Sequence, residues 1–83
     1  MKSLSGIFAA VEKEFHRSKE KHGSWKGLSN FRQITAIRGE VSEWEVAFIF
    51  KDINGPHGEI AELVQVMNVC ARRILYLKGS PDA

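Results

Sequence analysis

The segment Ile34-Thr35-Ala36-Ile37-Arg38-Gly39-Glu40-Val41-Ser42-Glu43-Trp44-Glu45-Val46-Ala47-Phe48-Ile49-Phe50 decides the fold, because its second half reads two ways. Trp44, Val46, Phe48 and Phe50 alternate and the run is rich in strand-favouring residues, so one reading is a strand after a Gly39-Glu40 hairpin turn. The other is a helix. Ile34, Ile37, Val41, Trp44 and Phe48 follow helical spacing and, at about 100° per residue, fall within an arc of roughly 80°. The alternation fails before Trp44, whereas the helical stripe holds from Ile34 to Phe48. The pattern therefore predicts a helix, and with it an all-α protein.

The same helix carries the chemistry. Glu40 and Glu43 lie on the flank of the stripe beside Ala36 and Ala47, one turn apart on one face, where they can present carboxylates to one cation from a packed cleft. A second acidic pair stands in Gly58-Glu59-Ile60-Ala61-Glu62-Leu63-Val64-Gln65. Glu59 projects within the apolar arc of the following helix, with Glu62 at its margin. A carboxylate directed into a core is costly unless it is paired or holds a metal. Oxygen ligands from two packed helices are the kind that Mg²⁺ prefers. The alternative is structural: Arg73 pairs with these groups, or they are simply solvated.

Working outward, Leu4, Ile7, Phe8, Val11 and Phe15 form one apolar stripe on a helix from Ser3 to His22, which Gly23 stops. A connection from Ser24 to Ser29 contains Trp25. The middle helix begins at Ser29 or Asn30, with Asn30 as N-cap and Gln33 completing a capping box. Asn54-Gly55-Pro56 breaks the chain, placing the second connection near Ile53 to Pro56. The last helix runs from about Pro56 or His57 to Lys78. Its apolar positions, among them Ile60, Leu63, Met67, Ile74 and Leu77, make a face wider than one neighbouring helix needs.

With 83 residues, 43% of them apolar and 27% charged, the chain reads as one small globular domain. Its core is limited, so we expect a three-helix protomer, an antiparallel helical bundle completed by oligomerisation as a homodimer or larger. A formal net charge of +2 does not point to direct nucleic-acid binding. The single cysteine, Cys70, excludes an internal disulfide framework and reads as a buried small hydrophobe. No signal-peptide core and no membrane-length apolar run is visible, so the expectation is a cytoplasmic protein without membrane contact. His16, His22 and His57 have no metal-site spacing and read as surface residues; no phosphate loop or nucleophile elbow is present.

Gly39-Glu40-Val41-Ser42-Glu43 and Glu59-Ile60-Ala61-Glu62 resemble the two motifs of the all-α nucleoside triphosphate pyrophosphohydrolases, the MazG-like family. That family carries E-E-x-x-E on one helix and E-x-x-D on the next. Here Gly39 replaces the leading Glu of the first motif, and Glu stands for Asp in the second. A second register, Glu62-Leu63-Val64-Gln65, matches with Gln for Asp. In an antiparallel hairpin, helix rise puts Glu43 about 13 Å below the end of its helix and Glu62 about 9 Å into the next, against about 5 Å for Glu59. Depth favours Gln65 as the companion of Glu62, whereas facing favours Glu59, and both registers stay open.

The resemblance implies that Glu40, Glu43 and Glu62 are catalytic and that these three, with Glu59 or Gln65, hold Mg²⁺, or Mn²⁺ in its place. Water would attack a phosphorus of a nucleoside triphosphate, releasing a nucleoside monophosphate and pyrophosphate. Arg72 falls where the family often has a basic residue. It joins Lys26, Arg38 and Arg73 as candidate phosphate partners, and Trp25 either stacks on a base or covers the end of the bundle. The competing function is a non-enzymatic helical interaction module with the same fold.

Overall fold

A computed structural model describes residues 2–83. It contains three helices, α1 (Leu4–His22), α2 (Asn30–Ile49) and α3 (Glu59–Leu77), and no strand among the described residues. The ambiguous run after Trp44 is thus helical through Ile49. Its strand-favouring residues find no second strand to pair with, and strand preference without a partner stabilises little.

Local chemistry sets the helix ends. The Ser3 hydroxyl accepts from the Gly6 N–H at 3.1 Å to start α1. Gly23, at φ 82°, stops it by donating its N–H to the Lys19 carbonyl. At the start of α2 the cap is Ser29, which accepts from the Arg32 N–H. The expected capping box of Asn30 and Gln33 does not form, because Gln33 is fully buried and used elsewhere. Its Nε2 donates to the carbonyls of Trp25 and Leu28, and its Oε1 accepts from Arg73 Nη1 at 2.7 Å. Gln33 therefore ties the first connection to α3.

The second connection is longer than the breaker residues suggest. Helix α2 ends at Ile49, and the Lys51 and Asp52 N–H groups fold back onto the carbonyls of Phe48 and Ala47. This is the Schellman closure, with Lys51 at φ 56° in the left-handed position that usually takes glycine. Asp52 then organises the turn, its Oδ1 accepting from the Gly55 N–H and its carbonyl from the Glu59 N–H. Helix α3 accordingly starts at Glu59 rather than at Pro56 or His57, with Gly58 as N-cap. A Cβ at Gly58 would meet the Ile53 carbonyl oxygen at 2.8 Å, so the tight turn admits only glycine there.

Helix α3 packs against both α1 and α2, which do not pack against each other. The residues it buries are unusual: Glu62, Asn68, Val69 and Arg72 on α3, Ser18 and Val11 on α1, Gln33 and Ala47 on α2. Much of the apolar surface points outward instead. Ile34 at one edge of the α2 stripe and Phe48 at its centre are exposed, because α2 meets α3 with the flank that carries Ala47 and Glu40. Cys70 is also exposed, contrary to expectation. It lies roughly 160° around α3 from the buried Arg72, on the side that neither neighbour covers. No helix among the described residues is long and apolar enough to cross a membrane.

Candidate functional site, a carboxylate cleft

Glu40 and Glu43 stand one turn apart on the flank of α2, and Glu62 stands in the first turn of α3. Packing of α2 on α3 brings one carboxylate oxygen from each of the three within 4.8 Å of the others. Burial is graded across the group: Glu43 is exposed, Glu40 half-buried, and Glu62 only 5% exposed. Both Glu40 Oε2 and Glu62 Oε2 are buried without a hydrogen-bond partner. Acceptors left in this state cost free energy that a proton or a cation recovers.

The electrostatics follow from that geometry. Burial, reinforced by the charge of Glu43, raises the Glu40 pKa from 4.5 to about 7. Burial raises Glu62 as well, with Glu43 adding to the effect and His57 opposing it. His57 Nδ1 lies 3.5 Å from Glu62 Oε1, although its ring is largely exposed. A fourth carboxylate, Glu14, approaches from α1 but is held ionised by a hydrogen bond from Arg17, whose Nε donates at 2.9 Å. Three hard oxygen donors, two of them with an orphaned oxygen, are the donor chemistry that fits Mg²⁺ or Mn²⁺.

Two adjoining clefts open from these carboxylates, and Glu43, His57 and Glu62 line both. One, of about 470 Å³, is polar and is completed by Arg17, Lys21 and His22 of α1, Glu40 of α2, and Gln65 and Asn68 of α3. The other, of about 480 Å³, runs past Val46, Ala47 and Phe50.

The second acidic pair is split. Glu59 turns from the cluster and accepts from Trp44 Nε1 at 3.1 Å, whereas Gln65 lines the polar cleft below Glu62. Trp25, Lys26, Arg38 and Arg72 line neither cleft. Trp25 is buried beneath the Arg72 guanidinium, which sits 5.1 Å from its ring centroid and donates to Ser18 Oγ and the Gly23 carbonyl. Arg72 thus fastens the first connection and α1 to α3. Lys26 and Arg38 are exposed. Arg73 bonds Asn30 and Gln33, not the carboxylates.

Sequence reasoning missed the contribution of α1. Glu14 continues the inward edge Ile7, Val11, Ser18, a helical spacing that was legible, but an acidic residue in a charged segment carries no mark of direction. Nothing local to Lys21 or His57 shows that they reach a site built by other helices. Comparison of the chain with protein-family models, with curated proteins and with solved structures finds no match.

Proposed function

We propose that the chain is a Mg²⁺-dependent nucleoside triphosphate pyrophosphohydrolase of the MazG-like kind. One observation carries the reading: Glu40, Glu43 and Glu62 converge from two helices, with buried and unpartnered oxygens on Glu40 and Glu62. Mg²⁺ bound there supplies charge neutralisation for a polyphosphate and acidifies water. Glu62 and Glu43 would hold the cation, with the Gln65 amide beside them. Glu40, whose proton affinity lies near neutrality, holds or releases a proton at Oε2 as the water attacks phosphorus. The products are a nucleoside monophosphate and pyrophosphate.

The test is pyrophosphate release from a panel of canonical and modified nucleoside triphosphates with Mg²⁺ or Mn²⁺. Turnover in the parent, reduced about 100-fold or more in Glu43→Gln and Glu62→Gln, is the expected outcome. Absence of metal-dependent turnover together with absence of Mg²⁺ uptake by calorimetry sinks the reading. That result favours the second one, an interaction module. Its supporting observation is the apolar outer seam of α3, where Ile60, Leu63, Met67, Cys70, Ile74 and Leu77 recur at coiled-coil spacing and Leu63, Ile74 and Leu77 are 40%, 57% and 65% exposed. Under either reading we propose self-association, with helices α2 and α3 building a four-helix core across two chains.

A further inference from the structure

The polar cleft sets a wall of unpartnered acceptors opposite a wall of cations that do not reach them. On the α2 and α3 side, Glu40 Oε2, Glu62 Oε2 and Asn68 Oδ1 are buried acceptors with no partner, and Asn68 is only 1% exposed. On the α1 side stand the donors Arg17, Lys21 and His22. Among the described residues the only ion pairs are Arg17 with Glu14 and His57 with Glu62, so Lys21 and His22 do not cross the cleft to the carboxylates. About 470 Å³ of space separates the walls. A ligand that carries a cation toward one wall and anionic oxygens toward the other satisfies both.

We infer that the C-terminal edge of α1 is the polyphosphate anchor of the site, with Lys21 as its principal cation and Arg17 and His22 beside it. The inference rests on the carboxylate site proposed above and adds the recognition of its substrate. The phosphate chain lies in the polar cleft, because the adjoining one offers Val46, Ala47 and Phe50 where α1 offers cations. Phosphate oxygens then meet the Lys21 ammonium and the Nη1 group of Arg17, the part of that guanidinium that Glu14 leaves free. Lys21 also complements the C-terminal dipole of α1, but so does Lys19 in the same turn, which instead donates to the Asp82 carbonyl and lines neither cleft. Lys19 is therefore the control for charge and helix stability.

Calorimetric binding of Mg²⁺ alone, and of inorganic tripolyphosphate with Mg²⁺, tests the assignment on the parent, Lys19→Ala, Lys21→Ala, Lys21→Arg and the double variant Arg17→Ala/Lys21→Ala. The expected result is Mg²⁺ binding retained in every variant, and no weaker in the double variant, where Glu14 loses its partner; tripolyphosphate affinity lowered about tenfold in the double variant and less in Lys21→Ala; and near-parent affinity in Lys19→Ala and Lys21→Arg. Equal losses in Lys19→Ala and Lys21→Ala, or unchanged affinity in the double variant while Mg²⁺ still binds, overturn the anchor and leave the metal site standing. Tripolyphosphate binding that depends on Lys21 in a parent that takes up no Mg²⁺ keeps the anchor and overturns the metal site. A parent that binds neither overturns both.

Discussion

Glu40 sits in a helix flank that the fold half-buries beside two other carboxylates, and its raised pKa has a thermodynamic sign. Between its ordinary 4.5 and about 7, folded Glu40 keeps a proton that the unfolded chain has released. Its contribution to stability is therefore full below 4.5 and is lost as the pH rises through about 7. Glu62, shifted in the same direction, adds to this, while Glu14 acts oppositely and loses its contribution as the pH falls. We expect the Tm to drop by several degrees between about pH 5 and about pH 8, with a flatter profile in Glu40→Gln. Millimolar Mg²⁺ at about pH 8 should raise the Tm of the parent and not of Glu62→Gln, since bound cation replaces the lost protons. A Tm that climbs steadily over the same range would show that the carboxylates do not share a buried site.

At the scale of the elements, α2 and α3 end in the same Schellman geometry with different residues. Gly79 supplies the left-handed position after α3 at φ 67°, whereas Lys51 supplies it after α2 at φ 56°. A side chain in that conformation costs about 1 kcal/mol relative to glycine. Lys51→Gly should therefore raise stability by up to about 1 kcal/mol in denaturant unfolding, a gain offset partly by glycine's greater freedom in the unfolded chain. The opposite substitution applies inside α2, where nothing lies within 4 Å of a Cβ built on Gly39. Gly39→Ala should stabilise by about 0.5–1 kcal/mol, because the helix interior gains a better helix former without a clash. A loss of stability at Gly39→Ala would mean that another chain approaches α2 there.

For the whole molecule, the radius of gyration is 13.0 Å, against about 12 Å for a compact domain of this length. Helices α1 and α2 each pack on α3 and not on each other, and large apolar residues are left outside, Phe31, Ile49 and Phe50 being 74%, 69% and 77% exposed. Self-association should remove that surface, so sedimentation at micromolar concentration is expected to show no stable monomer, and Leu63→Glu with Ile74→Glu to dissociate the assembly. A parent that sediments as a monomer overturns the oligomeric reading. The sequence by itself determined the all-α class and the three helices, since periodicity is written within each segment and needs no distant partner. It also marked Glu40, Glu43, Glu59 and Glu62 as candidates, because residue type and helical spacing are legible in the primary structure. Which flank of α2 turns inward, that Glu62 rather than Glu59 joins the cluster, that Arg72 clamps Trp25, and that α1 brings Lys21 to the cleft were decided only by tertiary packing. Those choices depend on how three amphipathic helices rotate about their axes to bury a mainly polar interior, and a rotation is a relation between segments that no segment encodes alone.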